Sequence, residues 1–168
     1  MSVRPRSADA GEVIGAISGQ LKGRVLRKPY TLVFTPEYTV LAKRTTALQK
    51  EAATKARTEA KAGGGGWFSQ IGSQMATHTG FHERYYTMSV DEILAEHEKN
   101  QAIPNRDVSS VTVRDSRTDY DDEGGYTIHE ARLRLETPAK SYRFDVDTNV
   151  LLAEATELLR EVYGARVR

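Results

Sequence analysis

SYRFDVDTNVLLAEATELLREVYG, residues 141–164 of a 168-residue chain, reads as a strand running straight into a helix. Tyr142, Phe144 and Val146 alternate with Ser141, Arg143 and Asp145, the period-two pattern of a half-buried strand. After Asp147-Thr148-Asn149, apolar residues fall at Leu151, Ala155, Leu158, Leu159 and Val162, one continuous stripe on a helix. At roughly 1.5–3 kcal/mol per large buried side chain, that stripe offers on the order of 10 kcal/mol before entropy, so the helix needs an apolar surface to cover. Asp147 or Thr148 is placed to cap its start, and Gly164 stands where a left-handed C-terminal residue is favoured.

The totals fit one domain spanning residues 1–168. Hydrophobic residues make up 39% and charged residues 28%, values of a globular chain rather than a disordered one. A formal charge of +1 argues against a whole-domain electrostatic grip on nucleic acid and leaves local patches to be judged one by one. With no cysteine, disulfides, thiolate zinc sites and cysteine nucleophiles are excluded. Residues 1–13 lack the apolar run of a signal peptide and no segment has the length of a membrane span, so a cytoplasmic protein is expected.

Working outward toward the start, residues 1–10 read as a mobile tail. Residues 12–21 fit either a short helix or a strand interrupted by Gly15 and Gly19. Residues 24–34 read as a strand carrying Val25, Tyr30, Leu32 and Phe34, and residues 38–43 as its hairpin partner across a turn at Thr35-Pro36-Glu37. Residues 45–62 are rich in helix formers, and Lys43, Lys50, Arg57 and Lys61 fall within about 40° of one another on the helical wheel. Glycines 63–66 break that helix and link it to a short amphipathic run with Trp67, Phe68, Ile71 and Met75. Phe81, Tyr85 and Met88 extend the apolar surface. Ser89 with Glu92 has the capping-box spacing, starting a helix that buries Ile93 and Leu94. The interval 45–107 thus reads as all-helical. Strands resume at Val108, and a long strand is expected to hold Tyr126, Ile128, Ala131, Leu133 and Leu135, with a bulge at His129-Glu130 where the parity flips.

An α+β architecture follows: a curled antiparallel sheet or barrel capped by the C-terminal helix, with 45–107 inserted between the first hairpin and the later strands. The hairpin TLVFTPEYTVLAKR, the entry SVDEILAEHEKNQAIPNRDVSSVTV and the closing SYRFDVDTNVLLAEATELLREVYGARV together resemble the pleckstrin-homology-like (PH-like) superfold, in particular its GRAM-like and bacterial or archaeal branches. The resemblance covers roughly 100 residues. It implies a binding or adaptor module for lipid head groups, peptides or proteins, without catalysis and without a cofactor.

Three clusters are candidate sites. Lys22, Arg24, Arg27 and Lys28, with Lys43 and Arg44, suit phosphate or an anionic ligand, the alternative being a solvated strand face. Lys50, Arg57 and Lys61 followed by Trp67 and Phe68 suit an anionic membrane surface or a partner; the alternative has the aromatics packing on the sheet or on a second copy of the chain. Asp119, Asp121, Glu123 and Glu130 match the EF-hand calcium-loop spacing apart from Glu123, while strand-like flanks suggest a turn instead. His78 and His82 have helical spacing without an intervening glutamate, and neither G-x-S-x-G nor a nucleotide-binding loop occurs, so no enzyme is expected. The expected partners are a protein or a second copy, with an anionic membrane as the rival and no nucleic acid.

Overall fold

The computed structural model describes residues 13–62, 80–148 and 150–168. The tail at 1–10, the glycine link 63–66, the run from Trp67 through Met75, and His78 lie outside them. Among the described residues, seven antiparallel strands form one sheet: β1 (Gly15–Lys22), β2 (Arg27–Phe34), β3 (Tyr38–Lys43), β4 (Gln101–Pro104), β5 (Ser110–Arg114), β8 (Arg132–Glu136) and β9 (Ser141–Val146). Their order across the sheet is β4-β3-β2-β1-β9-β8-β5. A separate two-stranded ribbon pairs β6 (Arg117–Tyr120) with β7 (Tyr126–His129). Helix α1 (Thr46–Ala62) follows β3, α2 (Val90–Ala95) precedes β4, and α3 (Leu152–Tyr163) follows β9. No helix among the described residues is long and apolar enough to cross a membrane.

β1 settles the open reading of residues 12–21 as a strand, and it joins the two halves of the sheet. It pairs with β2 from Gly15↔Phe34 to Lys22↔Arg27, and with β9 through Gly19, Gln20 and Leu21. The glycine that looks like an interruption is what permits the second pairing. A Cβ at Gly19 would overlap the Asp145 carbonyl oxygen and stand 2.6 Å from the Phe144 ring.

The hairpin β2–β3 is buried on both faces. On one, Tyr30, Leu32, Phe34 and Leu41 pack with Ile17, Val111, Leu133, Leu135 and Phe144 beneath α3. On the other, Val33, Val40 and Ala42 pack with Tyr85, Val90 and Ile93. The interval after β3 therefore covers the second face of the hairpin, which strict alternation would leave to solvent. The interval is not all-helical: Gln101–Pro104 adds to the sheet as the edge strand β4, an edge position being where proline's missing N–H is tolerated. The capping box forms as expected, with Glu92 N donating to Ser89 Oγ (3.2 Å) and Ser89 N to Glu92 Oε2 (2.7 Å).

α3 covers the first core with Ala155, Leu159 and Tyr163, flanked by half-buried Leu158 and Val162. Gly164 takes a positive φ of 59° at its end. The start differs from expectation. Leu151 is the N-cap residue, without a side-chain cap, and is 61% exposed rather than part of the stripe. Asp147 is drawn away to an ion pair with Arg44 (3.0 Å).

A buried polar knot ties α3 to the hairpin turn. Asn105 Nδ2 donates to the carbonyls of Thr35 (2.8 Å) and Pro36 (3.2 Å), and Thr39 Oγ1 donates to Asn105 Oδ1 (2.7 Å). Thr39 has one hydroxyl proton and gives it to Asn105, so the adjoining Tyr163 hydroxyl donates to Thr39. Burial pushes the Tyr163 phenol up to about 12 and also raises that of Tyr85. Both groups hold protons more tightly folded than unfolded. Stability is therefore intact below about pH 10 and falls as pH climbs toward 12, by about 2–3 kcal/mol from Tyr163. Urea midpoints measured across that range should drop steeply for the native chain and less steeply for Tyr163→Phe; equal slopes would remove Tyr163 from the account.

The expected long strand from Tyr126 to Leu135 is two strands. In place of the expected bulge at His129-Glu130, the parity flip between Ile128 and Ala131 marks where the chain leaves the β6–β7 ribbon and enters β8, and Ala131 already accepts a hydrogen bond from Val146 N (2.8 Å). Tyr126 and Ile128, which alternation assigns to the core, are exposed in consequence.

Candidate functional site

The turn between β1 and β2 gathers the first four basic candidates. Gly23 N donates to the Leu26 carbonyl (3.1 Å), closing a short connection with Lys22 at the end of β1, Arg24 in the turn, and Arg27 and Lys28 opening β2. All four cations are exposed. Val25, which alternation places in a strand core, lies instead at the tip and is 90% exposed; Leu26 beside it is 67% exposed. Two bare aliphatic side chains on one loop tip, bracketed by cations, are unlike scattered surface hydrophobics.

A second projection stands next to this loop. Cross-strand pairing puts Thr118, Tyr120, Tyr126 and Ile128 on one face of the ribbon, with Tyr120 and Tyr126 directly opposite and their rings 6.5 Å apart. Both tyrosines and Ile128 are more than 60% exposed. The other face is polar: Asp119 lies 3.2 Å from Arg117 and 2.9 Å from His129. Arg27 ties the ribbon base to the loop, with Nη1 3.4 Å from Glu130 and 3.3 Å from Asp145. Between them opens a cleft of about 370 Å³ bordered by Arg27, Ile128, Glu130, Arg132 and Asp145. Asp145 is only 3% exposed, and Arg132 stands 3.6 Å from its other oxygen, so this buried carboxylate is compensated by two guanidinium groups.

The remaining basic candidates have other duties. β3 ends beside the start of β2, where Arg44 N donates to the Pro29 carbonyl (3.0 Å), so Lys43 and Arg44 do reach the same end of the sheet. Arg44, however, is mostly buried and clamps Asp147 while donating to the Gly19 carbonyl (3.0 Å). Lys43 places its Nζ 3.4 Å from His97 Nε2. Lys50 is exposed on α1. Arg57 and Lys61 fall within α1, but their side chains, and all of Trp67 and Phe68, lie outside the described residues.

The acidic loop is built as a hydrogen-bonded turn. Asp121 Oδ1 accepts from the amides of Glu123 (3.1 Å) and Gly125 (2.6 Å), Asp119 serves Arg117 and His129, and Glu130 serves Arg27. The flanks are strands, not helices, and no group of three or more potential metal ligands is gathered among the described residues. The carboxylates spaced like a calcium loop in sequence are thus dispersed by the extended backbone. Calcium is expected to leave the thermal midpoint unchanged; a rise of several degrees on adding it would show that the loop rearranges into a site.

Sequence reading overlooked the exposed tip and the ribbon's apolar face. The Gly23-Arg24 pair next to a cationic run was the available sign of a turn there. No protein-family model, no curated protein and no solved structure matches this chain.

Proposed function

We propose that this chain is a PH-like, non-enzymatic binding module that docks on anionic membrane surfaces through its β1–β2 loop. The PH-like part is supported by the strand order β4-β3-β2-β1-β9-β8-β5, with the closing strand leading into a helix laid over one core. On that reading residues 45–100 form an insertion between β3 and β4, and the β6–β7 ribbon is an enlarged connection.

The observation that carries the docking is the tip itself: Val25 and Leu26 bare, with Lys22, Arg24 and Lys28 exposed around them. Aliphatic side chains enter the head-group boundary at a gain of up to about 1.5–3 kcal/mol each, and each nearby cation adds about 1 kcal/mol against an anionic leaflet. Tyr120 and Tyr126 on the neighbouring ribbon suit the same depth, having an apolar ring and a polar end. Such lipids face the cytoplasm, which is where the module would act.

Co-sedimentation with phosphatidylcholine vesicles containing phosphatidylserine tests the proposal. At low salt the chain should bind, weaken as salt rises, and lose about tenfold or more in affinity as Leu26→Ser. Absence of binding would sink it. Binding that ignores Leu26→Ser and disappears with Trp67→Ala would move the contact to the Trp67-Phe68 segment. Self-association in place of vesicle binding would favour an adaptor contacting protein.

A further inference from the structure

We propose that the outer face of β9, β8 and β5 is a separate binding site for a compact, multiply phosphorylated ligand. This goes beyond the loop-tip docking and shares only Lys22 with it. A groove of about 260 Å³ on that face is lined by Lys22, Arg114, Arg132, Arg134 and Arg143, with Asp145 the one carboxylate. The sheet order brings these cations together from four strands, β1, β5, β8 and β9.

Their placement is electrostatically adverse without an anion. Arg134 stands directly opposite Arg143, and Arg114 directly opposite Arg132. Like charges at directly opposed positions destabilise a sheet, and here two such pairs share one face. Available carboxylates relieve only part of this. Asp145 is shared between Arg132 and Arg27, and Arg134 is engaged by Glu136 while its Nε donates to Ser141 Oγ (2.9 Å). Among the described residues Lys22, Arg114 and Arg143 have no carboxylate partner, and Arg114 and Arg143 are exposed.

The chemistry selects phosphate. Four of the five cations are arginines, whose planar forks bind phosphate oxygens two at a time and keep their charge at any physiological pH. With neighbouring strands about 5 Å apart, the cationic area spans about 15 Å across the strands, a footprint for a few clustered phosphates rather than a duplex. The ligand is therefore a small polyphosphate or a polyphosphorylated head group, which present the same groups to the groove.

Calorimetric titration with inorganic tripolyphosphate tests the free form, and vesicles carrying a multiply phosphorylated lipid, compared at equal charge with phosphatidylserine vesicles, test the membrane-held form. Expected is saturable one-to-one binding in at least one arm, weakened about tenfold by Arg143→Gln or Arg114→Gln and untouched by the exposed Arg160→Gln on α3. Arg143→Glu should abolish that binding while raising Tm by about 1–4 °C, because it turns an opposed like-charge pair into an attractive one. A purely structural arginine would not combine those two effects. Leu26→Ser should leave tripolyphosphate binding intact, which separates this site from the loop tip. No binding in either arm, binding indifferent to Arg143 and Arg114, or tighter groove-dependent binding of a single-stranded oligonucleotide would overturn the assignment.

Discussion

Gly19→Ala is expected to lower unfolding stability by at least about 3 kcal/mol, enough to empty a large part of a stability of about 5–15 kcal/mol. The added methyl would meet backbone, the Asp145 carbonyl oxygen, and an aromatic ring held in the core. Neither can step aside without pulling β9 from β1, and those strands share only the short run Gly19–Leu21. Gly15→Ala is the internal comparison. There the new Cβ would stand 2.6 Å from Leu158 Cδ1, the free end of a flexible side chain on a half-buried helix position, so the loss should be much smaller. Urea denaturation of the two variants decides the point, and equal midpoints would show that the sheet yields at Gly19.

Asn105→Ala should be the second severe change, at about 2–4 kcal/mol. Asn105 is 5% exposed and spends both amide protons and its carbonyl oxygen on Thr35, Pro36 and Thr39. Truncation strands the buried Thr35 carbonyl and Thr39 hydroxyl, with the part-buried Pro36 carbonyl beside them, and the unmade buried bonds are worth more than the bonds themselves. The knot continues outward, since Arg166 Nη1 donates to the Asn105 carbonyl (2.7 Å) and to that of Val108 (2.8 Å). Loss should therefore loosen both the β2–β3 turn and the segment after α3. A thermal midpoint within a degree or two of the native value would show that water replaces the amide.

Local patterns in the chain foretold what local physics controls. The β2–β3 hairpin and its turn, the Ser89–Glu92 box, the apolar face of α3 and the Gly164 terminus depend on residues within a few positions of one another. The failures share a different cause. β4 is four residues long and contains Pro104, so only its pairing with β3 makes it a strand. Tyr126 and Ile128 alternate as core residues would, but the ribbon that carries them departs from the sheet, an event of topology rather than of period. The cations of the outer groove alternate outward along β8 and β9 in plain view, yet their convergence requires β9, β8 and β5 to be neighbours. Of the loop-tip site the charges were visible; the apolar tip was hidden because Val25 fits a strand alternation equally well.

The unequal pairing of β1 has a consequence for how the molecule opens. Eight residue pairs fasten β1 to β2, and three fasten it to β9. The hairpin half, packed on both faces, thus forms a unit that carries β1 with it, while the seam to β9 is short. Native-state hydrogen exchange would meet that asymmetry as two tiers of protection. Amides of β2 and β3 should exchange only on global unfolding, and those donating across the β1–β9 seam through a smaller opening in which β9, β8 and β5 swing away together.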